Sequence, residues 1–226
     1  MKFDILTLFP EMITSVMSES ILGRAEKNKI IEINAVNIRD FAQNKHNRVD
    51  DAPYGGGRGM VMQAPPIKRA YESITKNLSY KPHTIYMSPQ GSVLTQKKAI
   101  EISKKEHIVI LCGHYEGIDQ RILDEIVDEE ISIGDYVLTG GELPAMVLID
   151  TVSRMIEGVL SNNESFMEES HFNGLLEYPQ YTRPYDYNGQ RVPDILLSGD
   201  HAKIEKWRYE KSVETTKKKR PDMLEK

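Results

Sequence analysis

At 226 residues, with 39% hydrophobic and 28% charged side chains, the chain is long enough for one large domain or a domain with a small appendage, and its composition is that of a soluble globular protein. The single cysteine excludes an internal disulfide framework, no Cys/His spacing fits a metal site, and no apolar run approaches the roughly 20 residues that span a bilayer. The net charge of −5 weighs weakly against a nucleic-acid partner, since phosphate neutralisation supplies non-specific affinity.

The charge is unevenly spread. Residues 1–172 hold 18 Lys/Arg against 25 Asp/Glu, whereas residues 173–226 hold 11 against 9, with Lys217-Lys218-Lys219-Arg220 near the end. Such a run is ordinarily a solvated helix face, and here it is also a candidate phosphate contact. The opening Met1-Lys2-Phe3-Asp4 enters a strand at once and lacks a signal-peptide layout, so a cytosolic protein is expected.

In chain order, Phe3 to Phe9 reads as a strand, and Pro10 opens a helix with Met12, Ile13, Val16 and Met17 at helical spacing. A second helical piece covers about Ser20 to Lys27, and Ile30 to Val36 is a strand. Asn37 to Met60 has no sustained periodicity. A loop this long is usually functional or disordered. Its Arg39, His46, Asp50, Tyr54 and Arg58, set among Gly55, Gly56, Gly57 and Gly59, fit a surface that closes over a polar partner.

Gln63 to Leu78 is a helix with Ile67, Ala70, Tyr71 and Ile74 on one face. His83 to Met87 is a strand ending at Ser88-Pro89-Gln90-Gly91, and Thr95 to Lys105 is a helix capped by Thr95. The stretch from Val109 to Ala145 organises the rest. The apolar run Ile108 to Leu111 is a buried strand that meets Cys112-Gly113-His114-Tyr115-Glu116-Gly117, followed by a helix at Asp119 to Ile126. A second strand, about Glu130 to Ile133, meets Gly134-Asp135-Tyr136-Val137-Leu138-Thr139-Gly140-Gly141-Glu142, followed by a buried helix at Leu143 to Ile156.

Glycine loops at the carboxyl ends of parallel strands lie where open α/β sheets bind ligands, and they let main chain approach a ligand closely. Glycines that only make turns are the bland reading. Two such loops in tandem and a third at Ser88 to Gly91 favour a nucleoside-like ligand read by main chain.

The β-α-β-α order implies an α/β fold with a mostly parallel sheet and helices on both faces. A polar, acidic stretch, Ser161 to Phe172, reads as a linker. Beyond it, Tyr178 to Pro184 and Val192-Pro193 are extended, and Asp200 to Thr216 is a helix containing Trp207. The expected organisation is a domain at 1–160, a linker at 161–172 and a small helical domain at 173–226.

The motifs CGHYEGID, IGDYVLTGGELPA, SPQG, DDAPYGGGRGM, LTLFPEM and YPQYTRP together resemble the bacterial tRNA (guanine-N1)-methyltransferases, a family of the SPOUT class. The resemblance covers nearly the whole chain. It implies a C-terminal trefoil knot within the α/β domain, a topology that chain-connection rules alone would not propose. It also implies a homodimer with sites shared between chains. The implied reaction is methyl transfer from S-adenosylmethionine to N1 of the guanosine at tRNA position 37, beside the anticodon. Mg2+ is a candidate requirement of the activity, with no protein metal site evident.

Carried over by motif, cofactor contacts fall on Ser88, Pro89, Gly91, Gly113, Tyr115, Glu116, Ile133, Gly134, Asp135, Tyr136, Val137, Leu138, Gly140 and Gly141. Substrate contacts fall on Asp50, Tyr54, Gly55, Gly59 and Met60. The resemblance assigns Arg154 to the charge that develops on guanine O6. The family's catalytic base is an aspartate shortly before a Gly-Leu-Leu. Counting back from Gly174-Leu175-Leu176, this chain has Glu169 there, with Glu168 adjacent. The chain stops at Lys226, where the family usually continues for about another helix. Two other readings remain beside this one: a SPOUT ribose 2′-O-methyltransferase, and an RNA-binding protein with an inactive cofactor pocket.

Overall fold

The computed structural model describes residues 1–160 and 169–225. The chain divides into two compact units, Met1–Ser161 and Asn162–Lys226.

The first unit runs β1 (Lys2–Thr7), α1 (Pro10–Met17), α2 (Ser20–Lys27), β2 (Glu32–Asn37), a short hairpin of β3 (Asp50–Asp51) and β4 (Val61–Met62), and α3 (Ala64–Thr75). It continues through β5 (His83–Val93), α4 (Gln96–Ile102), β6 (His107–Cys112), α5 (Gln120–Ile126), β7 (Glu129–Ser132) and α6 (Glu142–Ser153). The large sheet has the order β2-β1-β6-β5-β7, and every pairing in it is parallel.

β6 explains the layering. All six of its residues are buried, and its side chains alternate between faces, as a pleated strand requires. Ile108, Ile110 and Cys112 join the cluster built with Ile13, Ala99, Leu148, Ile149 and Val152. Val109 and Leu111 join the opposite cluster with Ile67, Ala70, Ile122 and Ile126. Both faces are therefore covered, which is why the strand is a continuous apolar run.

Three local departures from the sequence expectation matter. β5 does not end at Met87. Met87 and Ser92 both pair with Ile131, so Ser88 to Gly91 leave the ladder as a bulge and the strand then resumes to Val93. A Cβ on Gly91 would overlap the main chain of Glu130 and Ile131, so only glycine fits that close approach. The Asn37–Met60 stretch is not wholly irregular. It holds a 3-10 turn at Ile38–Phe41 and half of the β3–β4 hairpin. After β7, at the sheet edge, the chain returns to the middle: Gly141 donates its N–H to the Gly113 carbonyl at 3.0 Å, and α6 packs behind β6 and β1.

The second unit carries a hairpin of β8 (Asp186–Tyr187) and β9 (Gln190–Arg191). Asn188 and Gly189 turn it with positive φ values of 53° and 81°, the pairing a type I′ turn needs. That Asn-Gly pair is itself a hairpin signal in the sequence. α7 (His201–Lys219) follows, with the Asp200 side chain accepting from the Lys203 N–H at 3.2 Å as its cap. Thr216 is buried and accepts from the Leu176 N–H at 2.8 Å.

Candidate active site

At the carboxyl ends of β5, β6 and β7 lies a cavity of about 420 Å³. Three segments wall it. The first is the Ser88–Gly91 bulge, held by the Gln90 N–H donating to Ser88 Oγ at 3.1 Å. The second follows β6, where Tyr115 sits at φ 60°, a conformation that costs a side-chain-bearing residue roughly 1–3 kcal/mol. The third follows β7. There Ser132 Oγ accepts from the Gly134 N–H at 3.1 Å and donates to the Gly134 carbonyl at 2.9 Å.

Gly141 joins the second and third walls. A Cβ on it would lie 2.6 Å from Cys112 Cα and 2.9 Å from the Gly113 nitrogen. The two loops therefore touch main chain to main chain, with no room for a side chain between them.

The cavity is lined by Ser88, Pro89, Gly113, Tyr115, Glu116, Ile133, Gly134, Tyr136, Val137, Leu138, Gly140 and Gly141. Gly91 and Asp135, singled out with them in the sequence, are not part of the lining. The lining also takes in Tyr86, Gln90, His114, Gln120, Glu130 and Thr139, which sequence reasoning passed over. Tyr86 and Glu130 lie inside strands, where the pattern marks only strand residues. His114 and Thr139 lie inside the glycine loops already singled out, so position in the loop was the available signal.

The electrostatics are one-sided. Glu116 and Glu130 line the cavity, and among the described residues no lysine or arginine does. Burial pushes the Tyr86 phenol up, and the Glu130 carboxylate adds to this. Burial also holds the Cys112 thiol well above its ordinary value, with Glu142 reinforcing it. That thiol is no nucleophile. A cavity of this kind favours a ligand that carries positive charge over a phosphate.

The expected substrate residues fall in two groups. Asp50, Gly59 and Met60 stand at the base of the β3–β4 hairpin, against the second wall. The Met60 carbonyl accepts from the Glu116 N–H at 2.9 Å, and Gly59 packs on the Glu116 side chain. Tyr54 and Gly55 stand at the exposed tip.

Arg154 caps the C-terminus of α6, its N–H donating to the Asp150 carbonyl at 3.2 Å. It does not line the cavity. Glu169 belongs to the second unit, where its carbonyl accepts from the Phe172 N–H at 3.4 Å. Glu168, with the rest of 161–168, lies outside the described residues. Among the described residues there is no group of three or more His, Cys, Asp or Glu that could hold a metal ion.

Comparison with known proteins places this geometry in context. The family described as tRNA (Guanine-1)-methyltransferase TrmD matches residues 1–226. A tRNA (guanine-N(1)-)-methyltransferase of Ruminiclostridium cellulolyticum is 66% identical over 226 residues, covering 100% of this chain and 97% of the relative. Proteins of the same name from Lachnospira eligens and Clostridioides difficile are 60% and 56% identical, and this chain covers 95% and 98% of their lengths. The chain belongs to the tRNA (guanine-1)-methyltransferase family.

Proposed function

We propose that this protein transfers a methyl group from S-adenosylmethionine to N1 of the guanosine at tRNA position 37. The observation that carries this is the cavity at the carboxyl ends of β5, β6 and β7, walled by glycine loops and carboxylates, with no lysine or arginine among the described residues. S-adenosylmethionine supplies an electrophilic methyl carbon on a positively charged sulfonium. The residues fit it: loop main chain is free to meet the nucleoside half, and Glu116 and Glu130 suit the cationic half.

Guanine N1 carries a proton and is a poor nucleophile until that proton leaves. Glu169 takes it as general base. Negative charge then develops on O6, and the Arg154 guanidinium holds it there. Glutamate adds a methylene to the usual aspartate and reaches the same atom through a different rotamer. Asp50, Tyr54, Gly55, Gly59 and Met60 form the hairpin that covers the guanosine, its base resting on the Glu116 loop.

The return of the chain from edge strand β7 to the Gly113 loop supports reading the end of the first unit as a trefoil knot. Phe9, Met12 and Val16 at α1, and Leu143 and Val147 on α6, are large apolar side chains left exposed. They support a homodimer in which each site draws on both chains. The second unit, with the exposed Lys217, Lys218 and Lys219, is the small helical domain that grips tRNA. Mg2+ is a candidate requirement of the activity, and among the described residues no cluster of His, Cys, Asp or Glu could hold it. No described helix is long and apolar enough to cross a membrane, and a tRNA substrate supports a cytoplasmic enzyme.

The deciding experiment is methyl transfer to tRNA transcripts carrying guanosine or adenosine at position 37. N1-methylguanosine from the first and nothing from the second is expected. A methyl group on a ribose oxygen, or no S-adenosylmethionine binding by calorimetry, overturns the reading. Within the active protein, Arg154→Ala and Glu169→Gln should each collapse single-turnover rate while leaving cofactor affinity within a few-fold.

A further inference from the structure

One buried ionic group stands beside the cavity and takes no part in the chemistry above. Glu142, the first residue of α6, is 2% exposed. Thr7, the last residue of β1, donates its hydroxyl to Glu142 Oε1 at 2.5 Å. His114 Nε2 donates to both carboxylate oxygens, at 2.9 and 2.8 Å. Three elements thus meet on one carboxylate: the end of β1, the loop after β6 and the start of α6.

His114 does more than fill space. It lines the cavity itself. Its imidazole lies against Gly140, where a Cβ would come within 2.8 Å of Nε2. Phe9 meets the ring edge-on at 5.1 Å between centroids, and the His114 N–H points at Met62 Sδ, 3.3 Å away. Any shift of this imidazole moves Gly140 in the third wall and Gly113 in the second.

We propose that His114 is a positioning residue for the methyl donor: by gripping Glu142 it sets the spacing of the two glycine loops that wall the cavity. This rests on the reading of the cavity as the S-adenosylmethionine site.

The physical case starts from Glu142. A buried carboxylate is costly unless it is paired and hydrogen-bonded. Burial pushes its carboxyl up, yet the His114 and Thr7 hydrogen bonds outweigh that and hold it below the ordinary glutamate value. The N-terminus of α6 adds a favourable dipole. The group is therefore held as a carboxylate. A hydrogen bond onto an ionised carboxylate is roughly twice as strong as one between neutral groups, so Glu142 holds the imidazole, and with it the second wall, against the start of α6. The other titratable groups facing the pair are Cys112 of β6, kept neutral by burial, and Tyr115, whose ring lies 6.2 Å from that of His114.

The test is calorimetric titration of the full chain with S-adenosylmethionine, with steady-state methyl transfer beside it. His114→Asn should bind the donor roughly tenfold more weakly than the wild type, with KM for the donor raised far more than kcat is lowered. His114→Arg, whose planar fork suits a carboxylate, should bind within a few-fold of the wild type. A folded His114→Asn variant with wild-type affinity overturns the proposal. So does a His114→Arg variant that has lost the donor while the wild type binds it, a comparison that decides even if the asparagine variant fails to fold. No binding of the donor by the wild type sinks the cofactor reading with it.

Discussion

The two ends of the five-stranded sheet share their strands but are held by different means. At the amino ends, side chains pair with side chains. Asp4, fully buried, receives His107 Nε2 at 2.7 Å and Asn34 Nδ2 at 2.5 Å, and Tyr80 meets the far side of the His107 ring at 3.1 Å. Asp128 takes Lys81 at 2.6 Å and the Thr84 N–H at 2.8 Å. Glu129 sits between His83 at 2.7 Å and Lys98 at 2.6 Å. At the carboxyl ends, glycine loops touch main chain to main chain, and the buried paired charge among the described residues is the Glu142 clasp, the Asp119–Arg121 pair at the start of α5 having its arginine exposed. An end closed by paired side chains has nothing left to offer a ligand. An end built from glycine keeps its main-chain groups and the space above them, and the cavity lies there.

The sharpest way to break this contrast is to cut the amino end. Asp4→Ala leaves the buried His107 and the half-buried Asn34 without their acceptor. Urea denaturation should show a loss of about 3–5 kcal/mol, the usual cost of removing one member of a buried pair. Cofactor affinity of the folded fraction should stay within a few-fold. An equal collapse of affinity at low urea would mean that the two ends are not separable.

Gly141→Ala probes the other end. Its new methyl would press on Cys112 Cα and the Gly113 nitrogen. Overpacking of that kind costs about 1–3 kcal/mol, so the protein should fold with a lowered melting temperature. Calorimetry should show donor affinity down by far more than the stability loss alone implies. Unchanged affinity would show that the loops can part without harm to the cavity.

Acid should weaken the amino end. Burial pushes Asp128 and Glu129 up, but Thr84, Lys81, His83 and Lys98 outweigh it, and both carboxyls end below their ordinary values of 3.8 and 4.5. Depressed carboxyls stabilise the fold fully above those values and lose that contribution as pH falls through the folded-state values. Thermal unfolding from about pH 5 downward should therefore show a falling midpoint, with a shallower slope in Glu129→Gln. Identical slopes would mean that the pairs contribute nothing.

The smallest effect belongs to Lys81→Ala. Its partner is only partly buried and Lys81 itself is more than half exposed, so the change should be about 0.2–1 kcal/mol. A loss beyond that range in a denaturation curve would show that the exposed pairs act as one network with Asp128.

Much of this organisation is written locally in the chain. The unbroken apolar run of β6 announced a strand buried on both faces. Thr95 and Asp200 marked helix starts that the structure caps with those side chains. The glycine loops after β6 and β7 announced a ligand-facing edge, because glycine in such numbers has few other uses there. The Asn188-Gly189 hairpin is equally legible, since that dipeptide takes the positive φ values the turn needs. Helix and strand boundaries moved by a few residues, as frayed ends do.

What the chain could not state by itself is which distant segments meet. Nothing local to Ser88-Pro89-Gln90-Gly91 says that β5 resumes after it, because the cause is the main chain of Glu130 and Ile131, some forty residues on. Nothing near Glu142 says that its partners are Thr7 and His114. The residue types, their period and their caps follow from interactions within a few positions, and a sequence displays those directly. The order of the strands, the contact of Gly141 with Gly113 and the burial of Glu142 follow from packing between segments far apart in the chain, and only the folded structure brings those together.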